Sequence, residues 1–348
     1  MMACRGTDLF SEIDMLRAEL LHNVEVTADC QRVEEEISQQ DVLTRIENII
    51  LGIVTSLSKD EAPVLALPNR SSWANVSFDS AIGLQMSSGS SVTTIRSDCA
   101  LSVAKFAQIL KILLVIYRLI QSNSYATKRD IYYNNTQLFG SQKTVDGIVD
   151  DISCMLKVPR RSLHVDGTRI DCNSSSADAT FQRLLDDDFC TKLSPCIIIT
   201  GKGVPDVNSR LMVRKLWDTL HIPIFALVDA DPHGIEIMCI YKYGSVAMSF
   251  EAHSLTVPSV MWLGLLPSDL QRLRVPEDAL IPLTRTDENK LTSLLKRPYL
   301  TSQPDWQKEM ELMQQTKVKA EIQSLAAIGP DYLTNIYLPN KLRYGGWV

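Results

Sequence analysis

Two carboxylates lie two residues apart in the segment Val228-Asp-Ala-Asp-Pro-His-Gly234, directly after an apolar run. If that run is a buried strand of an open α/β sheet, Asp229 and Asp231 lie at its carboxyl end, where such sheets bind ligands. Two hard oxygen ligands of this kind suit Mg²⁺ or Mn²⁺. Alternatively, the aspartates only shape the turn and cap the helix that Pro232 begins. The spacing alone leaves both interpretations open.

A tyrosine lies one helical turn beyond two cations in the segment Ala126-Thr-Lys-Arg-Asp-Ile-Tyr-Tyr-Asn134. A phenol is a poor nucleophile at its ordinary pKa of about 10, and adjacent cations stabilise the phenolate and hold a phosphate. Arg129 and Tyr133 are four residues apart, so they share one face of a helix, whereas Tyr132 points elsewhere, toward the core. Paired tyrosines on amphipathic helices are more often packing residues, so this motif also has a purely structural interpretation.

Three short helices are predicted around this tyrosine. The first begins at Asp98, the second has a capping-box start at Thr127 and Asp130, and the third ends before Pro159. Two arginines, Arg160 and Arg161, and the β-prone stretch Ser162-Leu-His-Val165 follow the third helix. This order is typical of a winged helix-turn-helix.

Beyond Asp178 the pattern changes to alternating strands and helices. Strands are predicted at 195–200 and 222–228, and helices at 206–220 and 232–241. The alternation predicts a parallel sheet covered by helices, with Asp229 and Asp231 at the end of its second strand.

The first 97 residues contain one clear amphipathic helix, at about 42–57. Its apolar stripe either packs on its own domain or docks a partner protein. The stretch 63–97 is rich in Pro, Asn, Ser and Gly, and is predicted to be an irregular linker. We therefore predict an N-terminal region (1–97), a tyrosine-bearing domain (98–170) and an α/β domain with a C-terminal extension (178–348).

The overall composition limits the classes of function. A net charge of −6 argues against bulk adhesion to nucleic acid, so any DNA contact has to come from local basic patches. No apolar run is long enough to cross a bilayer, and acids near the N-terminus oppose a signal peptide, which predicts an intracellular protein without membrane contact. The eight cysteines form no CxxC pair and predict neither zinc binding nor a disulfide framework.

Together the motifs resemble the A subunit of type IIB topoisomerases and its meiotic double-strand-break relatives, especially the animal meiotic branch. The resemblance covers about residue 41 to the C-terminus. It rests on Lys128-Arg-Asp-Ile-Tyr-Tyr133, Arg160-Arg-Ser-Leu-His164, Thr200-Gly-Lys-Gly-Val-Pro-Asp206, the block around Asp229 with Pro232-His-Gly, and the tail Tyr337-Leu-Pro-Asn-Lys-Leu342.

This resemblance implies an α/β protein in which a winged helix-turn-helix (CAP-like) domain precedes a Toprim domain, a Rossmann-like fold with a parallel sheet. It implies that Tyr133 is the nucleophile, with Arg129 as its helper, and that Asp229 and Asp231 hold Mg²⁺, for which Mn²⁺ can substitute. The expected product is a 5′-phosphotyrosyl link at a meiotic double-strand break, which initiates homologous recombination. The DNA-contacting set is expected to be Lys128, Arg129, Arg160, Arg161 and Lys202.

The resemblance also implies partners and a location. Double-stranded DNA is the expected substrate, a B-type topoisomerase VI-like subunit the expected partner, and a homodimer on chromosomes in the nucleus the expected assembly. Each chain of the dimer would cut one strand.

The chain departs from the family where a Toprim domain has a strand that ends in glutamate. Ser176 falls at that position and no apolar strand precedes it, so the segment resembles a deletion. Asp178, Asp186, Asp187, Asp188 and Glu236 are the acids considered as replacements. Two alternative functions follow: a noncatalytic DNA-binding or partner-binding isoform, and a Toprim-type nuclease in which water replaces the tyrosine.

Overall fold

The computed structural model describes residues 37–87, 89–166, 179–193 and 196–348 of the 348-residue chain. The predicted glutamate gap at Ser176 and the acid Asp178 lie outside the described residues. No helix in the described ranges has both the length and the apolar character that a membrane span requires.

The first half is mostly helical, with short strands. Its helices are α1 (Gln39–Ser58), α2 (Val103–Gln121), α3 (Lys128–Tyr133), α4 (Thr136–Phe139) and α5 (Gln142–Leu156), and its strands are β1 (Val64–Pro68), β2 (Val76–Asp79), β3 (Gly83–Met86), β4 (Val92–Arg96), β5 (Ala126–Thr127) and β6 (Val165–Asp166).

Helices α2 and α5 supply most of the first hydrophobic core. Their apolar residues recur every three to four positions, so one face of each helix is buried, as Ile112 and Ile152 are. The predicted capping box is present at the start of α3, where the backbone N–H of Thr127 donates to the Asp130 side chain and the backbone N–H of Asp130 donates to the Thr127 side chain. Helix α5 ends at Leu156, before Pro159, as predicted.

The stretch 63–97 is not an irregular linker, and that prediction is wrong. Strands β1 and β4 form one antiparallel pair and β2 and β3 form another. Leu65, Leu67 and Ile95 bury their side chains in the first core. The turn residues between these short strands dominate the composition and hide the alternation of buried and exposed residues along β1.

The second half continues with helices and a few short strands. Its helices are α6 (Ala179–Asp186), α7 (Phe189–Lys192), α8 (Val207–Leu220), α9 (Pro232–Tyr243), α10 (Ala252–Leu255), α11 (Pro267–Arg272), α12 (Arg285–Leu295), α13 (Pro304–Thr316) and α14 (Leu338–Tyr344), and its strands are β7 (Phe225–Leu227), β8 (Met261–Gly264), β9 (Ile281–Pro282) and β10 (Val318–Lys319).

A second hydrophobic core joins these elements. Trp262 on β8 and Trp306 on α13 are fully buried at its centre, with their rings edge to face. The β2–β3 hairpin, which precedes the first core's helices in the sequence, packs here through Leu84 and Phe78. The predicted domain boundary at residues 97 and 98 therefore does not coincide with the boundary between the two cores.

The parallel sheet of the second half is smaller than predicted. Strand β7 pairs with β8 in parallel, which confirms the strand predicted at 222–228 in shortened form. The strand predicted at 195–200 is not formed within residues 196–200. Among the described residues, Ile197, Ile198 and Ile199 have no backbone hydrogen-bond partner with which to form a ladder.

Candidate metal site and tyrosine surface

Asp229 and Asp231 lie on a strand–turn–helix unit formed by β7 and α9. Asp231 is the N-cap of α9, and its Oδ1 accepts a hydrogen bond from the Gly234 N–H at 2.5 Å. Asp229 Oδ1 accepts from the backbone N–H of Ile322 at 2.8 Å. The capping interpretation therefore holds for Asp231. It does not conflict with metal binding, because the second oxygen of Asp231 takes no part in the cap.

A lysine and a third aspartate lie behind this pair. Lys319 Nζ is 3.9 Å from Asp231 Oδ2 and 2.9 Å from Asp287 Oδ2. Burial disfavours charge on Asp287, but the backbone hydrogen bond from Thr284 and the Lys319 ammonium outweigh it and lower the pKa of Asp287 to about 2. Lys319 Nζ therefore lies between the carboxylates of Asp231 and Asp287 and closer to that of Asp287.

Two of the described acids considered as replacements for the missing glutamate, Glu236 and Asp187, are engaged elsewhere. Glu236 binds Lys290 at 2.6 Å and also pairs with Arg297. Asp187 accepts hydrogen bonds from Arg183 and from Thr334 at the C-terminal end. Among the described residues no three His, Cys, Asp or Glu side chains are grouped closely enough to enclose a metal ion.

Tyr133 ends the six-residue helix α3 and is 69% exposed. Its ring is 5.4 Å from that of Tyr132, which is partly buried against the first core, as predicted. Arg129 is also exposed and belongs to the same helix, so the i, i+4 spacing leaves both side chains on one solvent-facing side. The packing interpretation thus applies to Tyr132 and not to Tyr133.

The predicted DNA-contacting cations differ in their surroundings. Lys128 is mostly buried, its Nζ is 3.7 Å from Asp146, and burial together with the nearby Arg160 guanidinium lowers its pKa. Arg160 is mostly buried too and pairs with Asp150 at 3.2 Å. Arg129, Arg161 and Lys202 are exposed. The three exposed cations are therefore better placed than Lys128 and Arg160 to contact a phosphate backbone.

The tyrosine and the carboxylates lie on different cores. Tyr133 borders a shallow surface formed with residues 134–138, whereas Asp229 and Lys202 border a large cavity in the second core. Lys202 and Asp229 therefore border the same cavity, while Arg129 and Tyr133 remain with the first core.

Comparisons with known proteins match both halves of the chain. The Toprim-domain family of Spo11 and the topoisomerase 6 A subunit matches residues 176–342, and the family "Type IIB DNA topoisomerase" matches residues 104–165. The chain is 54% identical to the meiotic recombination protein SPO11 of Mus musculus, with 97% of each chain covered.

This chain belongs to the family of Spo11 and the topoisomerase 6 A subunit. It is 56% identical to the Homo sapiens meiotic recombination protein SPO11, over 89% of each chain. It is 32% identical to the A subunit of DNA topoisomerase 6 from Arabidopsis thaliana, over 94% of this chain and 86% of the relative. Membership makes the chain a DNA-cleaving transesterase of the topoisomerase VI A type, and it confirms that the second half is a Toprim domain.

The alignment with the mouse protein also reveals missing residues. It extends over 387 positions, whereas this chain has 348 residues, so at least 39 aligned positions have no counterpart here. The alignment length does not place these positions, so the deletion expected at Ser176 stays a prediction.

Lys319, Asp287 and the Ile322 backbone N–H are site components that sequence reasoning missed. They lie about 60 to 90 residues beyond Asp231 and reach it only through the packing of the second core. No local motif marks them, and the single sequence contains no signal that connects them to the Asp-x-Asp segment.

We predict that Asp287→Asn destabilises the chain by about 2 kcal/mol at pH 7, because the folded-state pKa lies below the ordinary value of 3.8. A carboxyl group whose pKa is lowered by folding stabilises the folded chain at pH values above its unfolded-state pKa. This stabilisation is lost as the pH falls through about 2. Urea unfolding from pH 7 to pH 2 should therefore show that the difference in free energy of unfolding between the original chain and the Asp287→Asn variant shrinks below pH 4. Asp278→Asn, at an exposed acid, is the control, and an undiminished difference at pH 2 would contradict the assignment.

Proposed function

We propose that this chain cuts DNA with Tyr133 as its nucleophile during meiotic recombination. The observation that carries the proposal is the exposed phenol at the end of α3, on the same side as Arg129. The phenolic oxygen attacks a DNA phosphorus atom and the bond to the 3′ oxygen breaks. A 5′-phosphotyrosyl link forms, and the leaving 3′ oxygen takes up a proton. Arg129 holds the scissile phosphate.

The DNA-binding unit is proposed to be a winged helix. Helices α2, α3 and α5 pack together in the first core, and β5 pairs with β6 beside them in parallel. The residue after β5 is the first residue of α3, so the strand pair fixes the start of the tyrosine helix. Residues 167–178, which follow β6, lie outside the described ranges.

The donor chemistry at Asp229 and Asp231 fits Mg²⁺, or Mn²⁺ in its place, when phosphate oxygens and water complete the coordination. When bound, such an ion stabilises negative charge on the phosphate and on the leaving oxygen. Lys319 balances the charge of Asp231, and the hydrogen bonds from Gly234 and Ile322 fix the directions of both carboxylates.

Two copies of the chain and a B-type subunit complete the proposed assembly. Because Tyr133 and Asp229 lie on different cores, a symmetric dimer allows the tyrosine of one protomer to meet the carboxylates of the other. Each protomer then cuts one strand of a double-stranded DNA, and the proposed site of this activity is the chromosomes in the nucleus.

Replacing Tyr133 with phenylalanine is expected to abolish covalent protein–DNA complexes and to change the free energy of unfolding by less than about 0.5 kcal/mol, because an exposed hydroxyl is lost. Tyr132→Phe is the matched control and should still form the complexes. The measurement is recovery of DNA covalently bound to protein, after denaturation, from reactions with the B-type partner. Covalent DNA on the Tyr133 variant would exclude this nucleophile, and cutting without any covalent link would favour the nuclease.

A noncatalytic isoform is the second candidate function. The observations that favour it are the 39 or more unmatched alignment positions and the absence of a third acid beside Asp229 and Asp231 among the described residues. This candidate predicts DNA or partner binding without covalent complexes, even in the chain with Tyr133 intact.

The exposed cations are expected to carry the DNA affinity. Arg129→Ala with Arg161→Ala should weaken binding to all sequences and reduce the slope of log affinity against log salt by about 2. Lys128→Ala and Arg160→Ala should instead lower thermal stability, because Asp146 loses Lys128 and Asp150 is left with the more distant Arg70, at 3.8 Å. Titrations of a DNA duplex at several salt concentrations measure the slope, and an unchanged slope in the first variant would contradict this placement.

Helix α1 has two parts with different surroundings. Val42 and Ile46 are buried in the first core, so the packing interpretation is correct for the start of the helix. Leu51, Val54 and Leu57 are 63%, 55% and 58% exposed. We assign the docking of the B-type subunit to this second part, whose apolar side chains suit a hydrophobic groove on the partner.

Leu51→Asp with Val54→Asp is therefore expected to lower the yield of co-purified B-type partner at least tenfold, while thermal stability stays unchanged. The physical reason is that each charge faces solvent in the free chain and becomes buried only in the complex. Ile46→Ala is the contrasting variant and should lower the melting temperature, because it leaves a cavity in the chain's own core. Normal co-purification of the double aspartate variant would remove this surface from the proposal.

A further inference from the structure

Residues 134–138 continue the surface that Tyr133 borders. They are uncharged, and three of them carry carboxamides, namely Asn134, Asn135 and Gln137. Asn134 and Gln137 are exposed to solvent, as Tyr133 is. A DNA strand whose phosphate reaches the Tyr133 oxygen therefore also lies against these side chains.

The backbone beneath the carboxamides is fixed by its own contacts. The N–H of Asn135 donates to the Tyr132 carbonyl at 3.0 Å, and Gln108 on α2 donates to the Leu138 carbonyl at 2.7 Å. Phe139, which ends the segment, is buried in the first core. The outward side chains thus start from a defined backbone, as a preorganised contact surface requires.

The carboxamides themselves are not used by the fold. Among the described residues, the side chains of Asn134, Asn135 and Gln137 have no hydrogen-bond partner. Asparagine beside a helix often caps it with its side chain, yet Asn135 precedes α4 and makes no capping bond. A carboxamide has two N–H donors and an acceptor oxygen, so each of these side chains keeps its full hydrogen-bonding capacity for a bound molecule.

The chemistry of this surface indicates which part of DNA it contacts. Phosphate oxygens are bound chiefly by cations, and Arg129 supplies that charge on the side of α3 that Tyr133 shares. Asn and Gln match adenine, because one carboxamide binds its N6 amino group and its N7 atom together. A few backbone residues and one side chain span roughly 10 Å, which equals about three base pairs at about 3.4 Å each. Bases close to the attacked phosphate are therefore within reach of the carboxamides.

We propose that Asn134 and Gln137 are specificity-determining residues, which contact bases within about three base pairs of the scissile phosphate and favour adenine there. The inference rests on the proposed function, because the position of Tyr133 fixes where the cut lies relative to these two side chains. It adds a base preference to a cleavage reaction whose chemistry requires none.

The test uses the full chain with its B-type partner and a library of DNA duplexes with randomised sequence. DNA that stays covalently bound to protein after denaturation is recovered, and sequencing of its ends gives the base frequencies around each cut. The original chain should enrich adenine about fivefold or more at a position near the cut, and Asn134→Ala with Gln137→Ala should reduce this enrichment below about twofold. Gln307→Ala, at an exposed carboxamide of the second half, is the control and should keep the preference.

Replacing Gln137 with arginine separates base contact from a structural role. A guanidinium binds O6 and N7 of guanine, so the preferred base at the position that Gln137 contacts should change from adenine to guanine. The melting temperature of each variant should stay within about 2 °C of the original, because the substituted side chains are exposed.

Three results overturn the inference and leave the proposed function standing. They are covalent DNA without adenine enrichment in the original chain, base frequencies that the double alanine variant leaves unchanged, and a uniform loss of covalent DNA in that variant without a change in those frequencies. Absence of covalent DNA from the original chain refutes the proposed function, and this inference with it.

Discussion

Asp231 holds the start of helix α9 through its hydrogen bond from the Gly234 N–H, and the geometry of the carboxylate site depends on this cap. A side chain at position 234 would bring its Cβ to 2.8 Å from the Asp229 carbonyl oxygen, so only glycine allows the turn to close. Strand β7, the turn and α9 thus form one tight unit. The carboxylate that starts the helix is the same one that faces Lys319, so folding and charge placement are coupled there.

The two cores meet through charged groups that few short-range patterns would suggest. Arg70, which follows β1, binds Asp151 on α5 at 2.8 Å and donates to the carbonyl of Ala247, an exposed residue of the second half, at 3.0 Å. Glu251 is buried, and burial raises its pKa, while it accepts from the backbone N–H of Arg160. These contacts explain why the tyrosine domain and the Toprim domain are held together even though each has its own hydrophobic core.

Much of the fold follows from local sequence signals where those signals are long and periodic. Helices α2, α5 and α8, the capping box at Thr127 and the Asp-x-Asp turn were all predictable, because helix periodicity and capping act over a few residues. The strands of residues 64–96 were not, because each is only four or five residues long and lies among turn residues. The run at 197–199 shows the opposite failure: its composition favours a strand, but no strand pairs with it among the described residues. The positions of Lys319 and Asp287 beside the carboxylates could not be predicted from the sequence, since they depend on tertiary packing.

The β2–β3 hairpin has a consequence for how the chain is made. Phe78 and Leu84 leave the ribosome early, but their partners Tyr243 and Tyr299 are synthesised more than 150 residues later. At ordinary translation rates these apolar side chains stay exposed for roughly 10 to 40 s, until the residues against which they pack have been synthesised. The hairpin flanks helix α2, whose own core partners emerge sooner. Nascent chains of this protein thus carry a completed first core beside an uncovered apolar hairpin, the kind of intermediate that chaperones bind.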